Sequence, residues 1–113
     1  MEGAALETLV LQELRATNDN LDLGYGLHYW RTPKGDEVDF VLYGERGLHA
    51  LEVKRTATFR ESDLSSLRKF KADCPVAQCR LLYLGKRRYE LPDGVQVVPV
   101  AETLPALPEL LGG

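Results

Sequence analysis

The chain has 113 residues, enough for one domain with a single hydrophobic core. Its composition, 44% hydrophobic and 27% charged with a formal net charge of −3, is typical of a soluble globular protein. No apolar run approaches the roughly 20 residues of a membrane helix, and no signal peptide is recognisable, so we expect a cytoplasmic protein without a membrane partner. The two cysteines, Cys74 and Cys79, are too few for a disulfide framework or a zinc site and predict reduced thiols.

Hydrophobic periodicity predicts elements in the order α-β-β-β-α-β-β. Helical spacing covers residues 4–16, and short strands separated by turns follow within residues 27–54. Residues 61–72 return to helical spacing, residues 78–85 and 95–100 predict strands, and a short proline-interrupted helix or tail ends the chain. Short connections predict antiparallel neighbours among the first three strands, and the intervening helix predicts a crossover to the next. We therefore expect an α/β fold with a mixed sheet.

Charged residues are segregated along the chain. Residues 1–53 carry ten acidic and four basic side chains, whereas residues 54–88 carry three acidic and ten basic ones. Such segregation can place a positive stripe beside an acidic pocket, as a phosphate polymer would require. The alternative is that solvated helix and turn faces are simply rich in lysine and arginine.

Two acidic residues and a lysine are predicted to converge on the second and third strands. Because side chains alternate along a strand, Glu52 and Lys54 share one face, and a tight turn at residues 45–47 would bring Asp39 beside them. Paired carboxylates suit Mg²⁺ or Mn²⁺, and an adjacent lysine can serve an attacking water or stabilise charge on a phosphate. The alternative is a solvated sheet face with a cross-strand Asp–Lys pair.

A further carboxylate, Glu7, belongs to the first predicted helix. It shares a helical stripe with three apolar residues, Val10, Leu11 and Leu14. A buried carboxylate would need a cation, a hydrogen bond or a metal nearby. The alternative is a helix rotated slightly so that Glu7 borders solvent.

These residues together resemble the PD-(D/E)XK nuclease superfamily, which has a glutamate in the first helix, an aspartate in a following hairpin and Glu-x-Lys on the next strand. The stretches YWRTPKGDEVDFVL and LHALEVKR are similar, more narrowly, to the C-terminal nuclease-like domain of unknown function in bacterial and archaeal AAA-type ATPases. The resemblance implies a restriction-endonuclease-like core, α-β-β-β-α-β, with a mixed four-stranded sheet flanked by helices. We expect residues 1–113 to form a single nuclease-like domain, either the C-terminal part of a longer ATPase or a shortened piece.

The resemblance also implies roles for individual residues. Asp39 and Glu52 would bind Mg²⁺ or Mn²⁺, and Lys54 would be the catalytic lysine. Glu7 would assist as a third carboxylate or as a group behind the ligands. Three arginines are candidates for contact with nucleic-acid phosphates: Arg31, Arg55 and Arg60.

The expected function is therefore metal-dependent hydrolysis of nucleic-acid phosphodiester bonds. The alternative is a non-catalytic nuclease-fold module that docks or regulates an AAA-type ATPase, in cis or in trans, on DNA or a protein partner. A homodimer formed by sheet-edge pairing through residues 95–100 is a third hypothesis. The sequence leaves open whether the site is active and whether the substrate is DNA or RNA, duplex, single-stranded or branched.

Overall fold

A long amphipathic helix opens the fold. In the computed structural model, which describes residues 3–112, helix α1 spans Gly3–Asn20. Its buried stripe consists of Leu6, Val10 and Leu14, spaced four residues apart as one helical face requires. The helix continues past its predicted end at Ala16, because no proline or glycine interrupts residues 17–20. No helix within residues 3–112 is long and apolar enough to cross a membrane.

Within the described residues, 3–112, six strands form one mixed sheet in the order β1-β2-β3-β4-β6-β5. The strands are β1 (Gly26–Arg31), β2 (Glu37–Gly44), β3 (Gly47–Val53), β4 (Gln78–Tyr83), β5 (Tyr89–Glu90) and β6 (Gln96–Pro99). Strands β1, β2 and β3 are antiparallel neighbours, whereas β3 with β4 and β4 with β6 are parallel pairs. This arrangement confirms the predicted mixed sheet and crossover, and it adds the short strand β5.

The crossover from β3 to β4 contains a 3₁₀ turn, Glu61–Leu64, followed directly by helix α2, Ser65–Asp73. The carboxylate of Asp63 accepts a hydrogen bond from the backbone N–H of Arg60 at 2.7 Å. Ser62 lies inside the turn. Asp63 therefore satisfies the backbone at the start of the turn.

The sheet separates two hydrophobic cores. On one face, called here the α1 face, helix α1 and the C-terminal helices α3 (Val100–Thr103) and α4 (Leu107–Gly112) cover a core that contains Leu82. On the other, called the α2 face, helix α2 covers a core that contains Leu81. Neighbouring residues of β4 therefore enter different cores, as strand alternation requires.

The tryptophan of the first strand lies on the α2 face. Trp30 packs edge-on against Phe70 of α2, with ring centroids 5.4 Å apart. Aromatic pairs favour this perpendicular arrangement, so Trp30 fixes the edge of the sheet against α2.

The outer strands of the sheet are β1 and β5. Strand β5 pairs with β6 in an antiparallel register that joins Tyr89 to Val97 and Glu90 to Gln96. The edge pairing expected through residues 95–100 is therefore not available at Gln96 and Val97, because β5 already occupies their outer side.

Candidate functional site

A β-bulge in β2 sets the position of Asp39. The register shifts between β1 and β2, so that Asp39 and Phe40 together lie opposite the single residue Tyr29. The predicted strict alternation along β2 is wrong here, since Val38 and Phe40 enter opposite cores. A bulge commonly redirects a side chain, and this one turns Asp39 towards the neighbouring strand β3.

One oxygen of Asp39 takes the place of a backbone acceptor. Its Oδ2 accepts a hydrogen bond from the backbone N–H of Val53 at 2.9 Å, beyond the last residue pair that joins β2 to β3. Burial raises the pKa of Asp39, the Val53 hydrogen bond partly offsets this, and the charges of Glu7 and Glu37 raise it further. The hydrogen bond fixes the carboxylate and leaves its other oxygen for a ligand.

Glu52 lies half-buried on the α2 face near Asp39. Burial raises the pKa of Glu52 from its ordinary 4.5 to about 8, and the charge of Asp39 contributes next. Glu37 and Asp63 add to this increase, while Lys54 opposes it. Ionising two neighbouring carboxyl groups in a site partly shielded from solvent costs free energy, so this pair retains a proton near neutral pH.

Lys54 follows β3 and is held by a carboxylate from the crossover. Its ammonium nitrogen lies 3.2 Å from Oδ1 of Asp63, and its backbone N–H donates to the carbonyl of Leu82 in β4 at 2.8 Å. Burial raises the pKa of Asp63, but the Arg60 N–H and Lys54 outweigh this and lower it. Sequence reasoning missed Asp63, although an acidic residue in the first turn of a predicted helix is a known capping signal.

Glu7 lies at the border of the site. It is exposed on α1, because the buried stripe runs through Leu6 and Val10 and leaves Glu7 beside it. The rotated helix that the sequence left open is therefore the one found. The charge of Glu7 still raises the pKa of Asp39, so the two carboxyl groups interact through space.

Asp39, Glu52 and Lys54 thus lie where β2 and β3 separate, near enough for the charges of Asp39 and Lys54 to affect the pKa of Glu52. Glu7 lies in solvent, near enough for its charge to affect the pKa of Asp39. Among residues 3–112, no three His, Cys, Asp or Glu side chains are arranged so that they could hold a metal ion. The arrangement offers a pair of carboxylates with a lysine beside them.

Comparison with known families places the chain. A family model described as "Domain of unknown function (DUF4143)" matches residues 2–103. The chain belongs to the DUF4143 family. DUF4143 domains are commonly found at the C-termini of AAA-type ATPases, in agreement with the narrower resemblance found in the sequence. No curated protein matches the chain.

In this DUF4143 domain the three candidate arginines differ in their surroundings. The guanidinium of Arg31 forms an exposed ion pair with Glu37 at 3.2 Å and lies 5.8 Å from the ring centre of Tyr29. Arg55 and Arg60 are exposed on the segment that follows β3, and neither forms an ion pair within the part of the chain that the structure describes. Arg55 and Arg60 are therefore better available than Arg31 for an external phosphate.

Proposed function

We propose that this DUF4143 domain has a restriction-endonuclease-like core and hydrolyses nucleic-acid phosphodiester bonds in a metal-dependent reaction. The observation that supports the proposal is the convergence of Asp39, Glu52 and Lys54 at the point where β2 and β3 separate. These residues correspond to the metal ligands and the catalytic lysine that the PD-(D/E)XK resemblance implies.

The donor set fits Mg²⁺ or Mn²⁺. Mg²⁺ is usually held by one or two carboxylates together with water and substrate phosphate oxygens. Asp39 offers the carboxylate oxygen that is not bonded to the N–H of Val53. Glu52 offers a carboxylate whose negative charge is only partly offset by Lys54. When bound, a divalent cation would offset the repulsion between these carboxylates, polarise a phosphate oxygen and lower the pKa of a water ligand.

The remaining side chains would position the substrate. The ammonium group of Lys54 lies close enough to affect Glu52, so it can stabilise negative charge that develops on a phosphate in the same place. The ion pair with Asp63 holds the long side chain of Lys54 in one position before substrate binds. Arg55 and Arg60, with Arg31 on the other side, would contact flanking phosphates.

A second function has support from the same geometry. Lys54 is engaged by Asp63, and a third metal ligand does not join the two carboxylates within residues 3–112. These features favour a non-catalytic module that docks or regulates an AAA-type ATPase, in cis or in trans, on DNA or a protein partner. In that case Asp39 and Glu52 would not bind a divalent metal ion.

The experiment that separates the two functions combines cleavage with metal binding. Purified domain is incubated with Mg²⁺ or Mn²⁺ and with plasmid, linear duplex, single-stranded and branched DNA, and with RNA. Cleavage is expected to disappear in Lys54→Ala and to persist in Lys86→Ala, a matched control at an exposed lysine after β4. If no substrate is cut in a Lys54-dependent way, the enzymatic proposal fails.

Calorimetry with Mg²⁺ and Mn²⁺ supplies the second measurement. Binding is expected to weaken in Asp39→Asn and, at neutral pH, to release a proton, because Glu52 must ionise to become a ligand. Proton release is measured by repeating the titration in buffers with different ionisation enthalpies. The absence of Asp39-dependent binding together with the absence of cleavage would favour the docking module.

A further inference from the structure

A buried arginine lies on the α1 face, across the sheet from Glu52. Arg80 of β4 lies two residues before Leu82 and therefore shares its α1 face, where only 8% of Arg80 is exposed. Among residues 3–112, no carboxylate forms an ion pair with it. A buried charge without a counter-charge is costly, and buried guanidinium groups are therefore normally paired with a carboxylate. The guanidinium of Arg80 has no such partner within residues 3–112.

Neutral groups hold the guanidinium in place. Arg80 donates to the side-chain oxygens of Gln96 and Gln78, each at 3.0 Å, and to Nδ1 of His49 at 3.3 Å. An arginine side chain has five N–H donors, so two remain without a partner among the described residues. The three bonds fix the orientation of the guanidinium and leave donors for a further acceptor.

The hydrogen bonds also fix the proton on His49. Because arginine can only donate, Nδ1 of His49 accepts and its Nε2 carries the hydrogen. Nε2 lies 3.4 Å from the hydroxyl of Tyr25, which donates in turn to the carbonyl of Leu111 in α4 at 2.6 Å. Burial, followed by the charge of Arg80, lowers the pKa of His49 to about 4, so the ring stays neutral and adds no positive charge.

A cavity of about 280 Å³ opens beside this network, between β4, β6 and the two C-terminal helices. Arg80, Arg88 and Gln96 line it on the side of the sheet, and Glu102 and Glu109 line it on the side of the helices. Burial and then the charge of Arg88 lower the pKa of Arg80. Two like charges therefore lie at one end of the cavity, and neither has an ion-pair partner within residues 3–112.

We propose that this cavity binds a small oxyanion, a phosphate or a carboxylate, through the guanidinium groups of Arg80 and Arg88. The planar fork of arginine donors matches the oxygen atoms of both groups. The volume lies at the lower limit for ligand pockets, which suits a small anion. The exposed carboxylates of Glu102 and Glu109 would repel any anion that extends to the helix side of the cavity, so the ligand must be small enough to stay at the guanidinium groups.

The test is a titration of the whole domain with inorganic phosphate, sulfate or acetate at constant ionic strength, with chloride as the reference salt. NMR follows the side-chain N–H of Arg80 and the backbone signals around the cavity. At least one oxyanion is expected to give saturable shifts there. Arg88→Ala should weaken its binding about threefold, since one partly exposed charge is lost. Arg87→Ala, at the adjacent exposed arginine that does not line the cavity, should leave the affinity unchanged.

Arg80→Gln gives the larger effect, a loss of affinity of about tenfold or more, since a charge-assisted hydrogen bond is removed. If this variant does not fold, the comparison of Arg88→Ala with Arg87→Ala decides the question. Three results would overturn the proposal: shifts that never saturate with any of the three anions, equal weakening in the Arg88 and Arg87 variants, or wild-type affinity in a folded Arg80→Gln.

Discussion

We expect the domain to lose folding stability as the pH rises towards 8, and replacing Glu52 with glutamine should remove most of this loss. In the folded chain the pKa of Glu52 is about 8, above its ordinary 4.5, because of burial and then the charge of Asp39. Between these two values the folded chain holds a proton that the unfolded chain has released. The free energy of unfolding therefore falls as the pH rises through this range, and glutamine, which has no proton to lose, abolishes the dependence.

The size of the effect follows from the pKa difference. Each pH unit over which the folded chain holds one extra proton changes the free energy of unfolding by about 1.36 kcal/mol. Between about pH 6.5 and pH 8 the upper limit is therefore about 2 kcal/mol. Because solvent reaches the half-buried carboxyl and screens its neighbours, we expect about 1 to 2 kcal/mol.

Urea denaturation at the two pH values measures this difference directly. The wild-type domain should be less stable at pH 8 than at pH 6.5, and Glu52→Gln should show a much smaller change. Glu13→Gln, at an exposed glutamate of α1, controls for the loss of one formal charge and should follow the wild type. A Glu52→Gln domain that loses as much stability as the wild type over this interval would refute the reasoning.

Two further substitutions test the packing, and one titration tests the buried network. Leu67 is fully buried on the inner side of α2, so Leu67→Ala should lower the free energy of unfolding in urea by about 2–5 kcal/mol, against less than about 0.5 kcal/mol for the exposed Val76→Ala. A Cβ atom on Gly44 would lie 2.9 Å from a backbone carbonyl oxygen, so Gly44→Ala should cost about 1–3 kcal/mol in the same assay. NMR titration should find the ring of His49 neutral down to about pH 5, since burial and Arg80 lower its pKa to about 4; protonation near pH 6.5 would contradict this.

The order of elements could be predicted because it depends on local spacing. Helical periodicity identified α1 and α2, and a helix between two strands was enough to predict the parallel step from β3 to β4. The bulge at Asp39 could not be found in this way. Its extra residue is defined only by the partner strand, and no pattern within β2 distinguishes a bulged segment from a regular one.

The candidate site could likewise be predicted only in part. Glu52 and Lys54 lie two positions apart in the stretch predicted as one strand, so their shared face follows from the period of a strand. Asp63 comes from the turn beyond the next loop, and its contact with Lys54 depends on how the crossover folds back. On the other face of the sheet, the prediction overlooked Arg80. A single arginine within the apolar stretch QCRLLYLG indicates a charge that a buried strand must accommodate.

Strand β3 carries two titratable groups whose effects on stability have opposite signs. His49 faces the α1 core with a pKa of about 4, below its ordinary 6.5, so its contribution is lost as the pH falls from 6.5 to 4. The contribution of Glu52 is lost as the pH rises from 4.5 to about 8. Between about pH 4.5 and pH 6.5 the two slopes offset each other, and above that range only the slope of Glu52 remains. Glu52→Gln lacks this opposing response, so between pH 4.5 and pH 6.5 its free energy of unfolding should rise more steeply, or fall less steeply, than that of the wild type. Equal slopes in the two proteins over this range would contradict a raised pKa of Glu52 in the folded chain.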